Sequence, residues 1–293
     1  MEKAYCTIIF THNYVIKIFC RNKREYNAKA IYYEYMWDKN MPLLSARFVE
    51  HILFNGIDSS ALILNRLPLW SNLLYQLAHD GISNKEILQI GILVKKLICS
   101  YSESEMDIEN LYENYILNLK LQIEKLKGKI DSKLITDLRK LQDNQLLLNI
   151  FRENRKTSNV ALIHGNLFSG NIFYYKKELV VIDPISYNHV ARKSFPHMDL
   201  ATFLVDIRIF KSELDYFNIY KKMAAGMQIW EVILMQLYLI LKLLVRLRFA
   251  YMEINLRDEY SDVNVNDIII NNGKQILKEE LNNIVEELKE YFG

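Results

Sequence analysis

Near the middle of the 293-residue sequence one short stretch gathers residue types that can handle a charged, metal-bound group: His164-Gly165-Asn166-Leu167-Phe168-Ser169-Gly170-Asn171, with Ile182-Asp183-Pro184 after the next strand patterns. Asn171 offers an amide oxygen and Asp183 a carboxylate, the hard oxygen ligands that Mg²⁺ prefers. A metal held this way suits phosphoryl transfer, which asks mainly for positioning and for charge neutralisation around a triphosphate. Gly165 and Gly170 let the loop turn tightly and let backbone approach a ligand. His164, directly after an apolar run, is expected to brace the loop by hydrogen bonding rather than to react.

This stretch resembles the catalytic loop of the aminoglycoside phosphotransferase, choline kinase and fructosamine kinase group, whose signature is His-Gly-Asp, then a loop Gly and Asn, then a hydrophobic-Asp-Pro or hydrophobic-Asp-Phe on a following strand. Every marked position agrees except one: Asn166 stands where the group carries the carboxylate that orients and deprotonates the acceptor hydroxyl. The resemblance implies a two-lobed protein-kinase-like fold of the α+β class, with ATP and Mg²⁺ as cofactors and a small-molecule hydroxyl as acceptor. It puts Asn171 and Asp183 on the metal, Asn166 on the acceptor with His164 beside it, and Asp199 and Ser169 in support of the loop. Lys17 of Val15-Ile16-Lys17 corresponds to the strand lysine on the nucleotide phosphates. Glu34, seventeen positions on, corresponds to its helix partner, with Glu25 as the alternative. Asn65 and Leu67 fall on the hinge against which adenine lies. Tyr187, His189, Arg192 and Lys193, beyond the metal strand, are candidate substrate residues.

Elements of matching kinds surround these residues. Tyr5–Phe19 reads as a hairpin around Thr11-His12-Asn13, and 23–38 as a helix with an apolar stripe. Arg47–Phe54 and Ala61–Leu64 read as two further strands, closed by Leu67-Pro68. Helical spacing then governs Ser71–His79, Asn84–Tyr101, Ile108–Leu126 and Ser132–Asn154. The 160–187 stretch interrupts it with strand, loop, strand, turn and strand before helices resume at Asp199, with a polar break around Asn255–Asn272. This divides the chain into a small antiparallel-sheet lobe, 1–67, and a helical lobe, 68–293. Only sixteen residues precede Lys17 and no glycine precedes Gly56, so the small lobe is truncated and lacks a glycine-rich phosphate loop.

Composition narrows the partners. A formal net charge of +2 provides no bulk field for nucleic acid or a membrane surface. Ile229–Val245 is the longest apolar run, but Glu231, Gln236 and Lys242 interrupt it, so it reads as a buried helix and not as a membrane span. Three widely spaced cysteines, Cys6, Cys20 and Cys99, suggest neither a disulfide framework nor a zinc site, in keeping with a reducing cytoplasm. Three functions fit: transfer of the ATP γ-phosphate to a small-molecule hydroxyl, a pseudokinase that binds a ligand or protein, and a Ser/Thr kinase acting on a peptide. Oligomeric state is left open.

Overall fold

The computed structural model describes residues 6–19, 48–53, 60–101, 103–182, 193–252 and 264–292. Four strands, β1 (Cys6–Phe10), β2 (Tyr14–Phe19), β3 (Phe48–Leu53) and β4 (Ser60–Asn65), form one antiparallel sheet in the order β1-β2-β4-β3. The β1–β2 hairpin closes where Thr11 Oγ1 accepts from the Tyr14 N–H at 3.0 Å. The Lys17 backbone lies in β2, in register with Ile8 on one side and Leu62 on the other. The predicted 23–38 helix, with Glu25 and Glu34, lies outside the described residues.

Helices follow from Leu73 onward: α1 (Leu73–Ala78), α2 (Asn84–Cys99), α3 (Ile108–Leu126), α4 (Ser132–Gln142) and α5 (Leu146–Thr157). Their starts are chemically marked. Ser83 and Glu86 form a reciprocal capping box at α2, and the Asp131 carboxylate accepts from the Lys133 N–H at the start of α4. The single helix predicted over Ser132–Asn154 is in fact two. Asp143-Asn144-Gln145 breaks it, because the Asn144 side-chain oxygen accepts from the Leu146 N–H at 2.9 Å and starts a new helix.

The irregular island comes next. Strand β5 (Ala161–Leu162) pairs with β8 (Lys193–Ser194), and β6 (Ile172–Tyr175) pairs with β7 (Glu178–Val181). The β6–β7 turn is Lys176-Lys177, both at positive φ (51° and 67°), the backbone that two-residue hairpins usually assign to Asn-Gly. The last helices are α6 (His197–Phe210), α7 (Glu213–Ala224), α8 (Ile229–Tyr251) and α9 (Val265–Phe292). Helix α9 therefore runs through the second half of the polar stretch that reads as a break in the sequence. It is held there by Ile269, Ile276, Leu277, Ile284 and Leu288, all buried. Helix α8, apolar on nearly every face, packs against α3, α5, α6 and α9, which is why its run of leucines spans the core. Among the described residues no helix is long and apolar enough to cross a membrane.

Candidate active site

The 164–171 loop is gripped from below by two pairs of opposite charges. Asp199 and Asp206, seven residues apart, lie on one face of α6. Lys242 and Arg246, four residues apart, lie on one face of α8. Asp199 accepts from the backbone N–H of His164 (2.7 Å) and of Gly165 (2.8 Å) and from the Tyr101 hydroxyl (2.8 Å). Asp206 accepts from both the N–H and the hydroxyl of Ser169 (2.9 and 2.5 Å) and from Arg246 Nε (2.6 Å). Lys242 Nζ donates to the Gly165 carbonyl at 3.0 Å. Phe168 lies under both cations, 5.6 Å from Lys242 Nζ and 4.9 Å from the Arg246 guanidinium carbon, a cation–π contact to each.

All four charged side chains are buried, and burial shows in the chemistry of Lys242 and Asp199. Desolvation pushes the Lys242 ammonium down to about 8, with the negative Asp199 opposing. Desolvation likewise raises Asp199, while Tyr101, Lys242 and the two backbone donors pull it back. Buried charges persist only where partners replace water, and here the partners are the loop itself.

Within the loop, Gly165 takes a φ of +78°, a conformation that disfavours side chains. His164 is fully buried; its Nδ1 accepts from the Asn166 N–H at 3.2 Å, so its proton sits on Nε2, which donates to the Ile182 carbonyl at 3.0 Å. That bond ties the loop to the residue just before Asp183. Asn171 Nδ2 donates to the Asn166 carbonyl at 2.8 Å, which leaves Oδ1 as the atom of Asn171 suited to a cation. The Ile182 N–H donates to the Asn171 carbonyl at 2.9 Å, so the chain leading to Asp183 runs beside Asn171. From the other side, buried Asn72, which caps α1, donates to the Gly170 carbonyl at 2.8 Å.

The structure thus brings together His164, Asn166, Ser169, Asn171 and Asp199. Asn65 ends β4 opposite Tyr14, exposed, and Leu67 follows two residues later, half-buried. Asp183, Tyr187, His189, Arg192, Glu34 and the Lys17 side chain lie outside the described residues. Lys193 stands in β8, its Nζ donating to the Glu105 carbonyl at 3.3 Å. Among the described residues no three His, Cys, Asp or Glu side chains converge as a metal site. Sequence reasoning gave no role to Tyr101, Asp206, Lys242 or Arg246; the signals present were Lys242 within an apolar run and the seven-residue and four-residue spacings of the charged pairs.

Beside the loop opens a cavity of about 400 Å³, with Gly165, Asn166 and Phe168 on one wall and Asn114, Gln122 and Tyr238 among the residues opposite. Its volume falls in the range of roughly 300–1,000 Å³ usual for small-molecule sites.

No family model matches the chain, and no curated sequence is detectably similar to it. Solved structures do match. Aminoglycoside 2'-phosphotransferase-IIIa in its GDP complex aligns over 97% of this chain and 91% of its own, with a TM-score of 0.54 at 13% identity. An aminoglycoside phosphotransferase bound to GDP and kanamycin aligns over 97% and 92%, at 0.55 and 12%. Choline kinase LicA from Streptococcus pneumoniae aligns over 95% and 90%, at 0.52 and 12%. The chain has the protein-kinase-like fold of these small-molecule kinases, mostly helical with small antiparallel sheets.

Proposed function

We propose that the protein is an ATP- and Mg²⁺-dependent phosphotransferase that acts on a hydroxyl of a small molecule in the cytoplasm. The observation that carries this reading is the cavity whose wall includes Asn166, on the same hydrogen-bonded loop as Asn171. An acceptor in that cavity meets the loop at the position where a transferred group must arrive. A volume of this size suits a small molecule better than a peptide. Residues 1–67 supply the nucleotide side, with Lys17 on the phosphates, Glu34 or Glu25 as its partner, and Asn65 and Leu67 against the base. Residues 68–293 supply the loop and the acceptor side, and Tyr187, His189 and Arg192 complete the latter.

Asn171 Oδ1 and Asp183 would hold Mg²⁺, which supplies charge neutralisation of the triphosphate. The amide oxygen of Asn166 accepts a hydrogen bond from the acceptor hydroxyl and aims its oxygen at the γ-phosphorus. An amide takes no proton at neutral pH, so the hydroxyl proton passes to an oxygen of the incoming phosphoryl group or to water. The transition state is loose, so positioning retains much of the catalysis, at a rate lowered by roughly 10²–10⁴-fold for the missing base.

Thermal melting with and without Mg²⁺·ATP, paired with ATP turnover on a panel of hydroxylated acceptors, tests this. Binding to the folded state raises the melting temperature, and Asp183→Ala is expected to abolish both the shift and the turnover. Equal turnover by wild type and Asp183→Ala would rule the reading out. A second reading, a pseudokinase, is favoured by Asn166 itself and by the absence of glycine before Gly56. It predicts a melting shift with no turnover on any acceptor.

A further inference from the structure

The cavity beside Asn166 carries an unusual set of polar groups. Helix α3 places Asn114, Asn118 and Gln122 at successive intervals of four, one above another on a single face, and all three line the cavity. Asn166 faces them from the loop, so four carboxamides surround one space. The Asn118 amide nitrogen donates to the Asn114 carbonyl at 2.8 Å. Gln122 is only 4% exposed, and its Oε1 has no hydrogen-bond partner. A buried acceptor without a partner is destabilising, and the Gln122 side chain lines the cavity that the other carboxamides share.

The hydroxyls of the lining bond within the protein. The Tyr115 hydroxyl donates to the Leu237 carbonyl at 3.2 Å, and the Tyr238 and Ser194 hydroxyls bond each other at 3.1 Å. Charge is equally informative. Among the described lining residues there is no carboxylate, and the charged ones are Lys193 and Lys242. Lys193 bonds the Glu105 carbonyl and Lys242 the Gly165 carbonyl. Among the described lining residues a cationic guest would meet no carboxylate and two like charges, which is unfavourable. Carboxamides, by contrast, each donate and accept, matching hydroxyls that do the same.

We infer that the acceptor is an uncharged polyhydroxylated molecule, recognised by the carboxamides of Asn114, Asn118, Gln122 and Asn166. This rests on the phosphotransferase reading for the fate of the hydroxyl, but not for its binding.

Calorimetric titrations of glucose, sorbitol and myo-inositol, against kanamycin and choline, with and without a non-hydrolysable Mg²⁺·ATP analogue, decide the matter. At least one uncharged polyol is expected to bind at least ten-fold more tightly than either cation. Gln122→Leu is expected to weaken that polyol by ten-fold or more, and Gln122→Glu to narrow the gap in favour of the cations. Asn118→Leu, at an exposed and more tolerant position, provides the same test should the Gln122 variants fold poorly. Tighter binding of kanamycin or choline, no polyol binding, or polyol affinity unmoved by both the Gln122 and Asn118 variants (only a fixed water facing the amide) would each overturn the inference. Polyol binding without any nucleotide response leaves the inference standing and removes the transferase. Turnover of kanamycin or choline alone does the reverse.

Discussion

Lys242 donates a hydrogen bond to the carbonyl of Gly165, 77 residues earlier in the chain, at 3.0 Å. The bond fixes the peptide that leads directly into Asn166, so the helix carrying the lysine sets where the loop meets its cavity. Asp199 holds the N–H of the same glycine from the opposite side. The two peptides that meet at Gly165 are therefore each held, one by the carboxylate of Asp199 and the next by the ammonium of Lys242.

Lys242 should leave a signature in alkaline solution. Burial holds its ammonium at about 8, against an ordinary 10.5. Between those values the unfolded chain binds a proton that the folded chain does not, so this group adds stability as pH rises from about 8 to about 10.5. Urea unfolding of wild type and Lys242→Met at pH 7 and pH 10 is the measurement. The difference, wild type minus variant, should rise with pH by up to about 3 kcal/mol. A difference independent of pH would contradict the assignment.

Asp199→Ala removes three accepted hydrogen bonds at once and leaves Lys242 buried without its counter-charge. Orphaning one member of a buried pair typically costs about 3–5 kcal/mol. Equilibrium unfolding should show a loss of that order. A loss below about 1 kcal/mol would mean that the loop is held by other means.

Asn166→Asp restores a carboxylate where the amide now stands. ATP turnover on an accepted substrate should rise by roughly 10²–10⁴-fold, while the melting shift with Mg²⁺·ATP stays the same. Steady-state assays that show lower turnover in the variant would make the amide itself part of the chemistry.

The Lys176-Lys177 turn offers a gain instead of a loss. Both residues adopt left-handed backbone, which disfavours L side chains by roughly 1–2 kcal/mol each. Replacing them with Asn-Gly should raise stability by about 1 kcal/mol, because those residues suit the turn. An unchanged or lower midpoint in urea would show that lysine contacts, such as Lys176 over the Tyr175 ring at 5.1 Å, offset the strain.

Much of this was legible in the sequence. The hairpin, the two later strands, helices α2 and α3 and the Gly-Asn loop follow from local periodicity and turn chemistry, which act over a few residues. What was hidden is non-local. Asp206 and Arg246 are charges within mostly apolar helices, and nothing within ten residues of either names its partner until the two helices are packed together. The break at Asp143–Gln145 was missed for the opposite reason: the apolar spacing continues across it, and only a side-chain cap at Asn144 ends one helix and begins another. The row of Asn114, Asn118 and Gln122 was visible as a spacing, but its meaning depends on what faces it.

The loop takes its shape from Asn72 and Tyr101 on one side of it in the chain and from Asp199, Asp206, Lys242 and Arg246 on the other. Four of these six are still unmade when Gly170 is added to the chain, and at about 5–20 residues per second the wait for Arg246 is on the order of ten seconds. During synthesis the nascent polypeptide must carry that glycine-bearing segment without its supports, and any product that terminates early never acquires them.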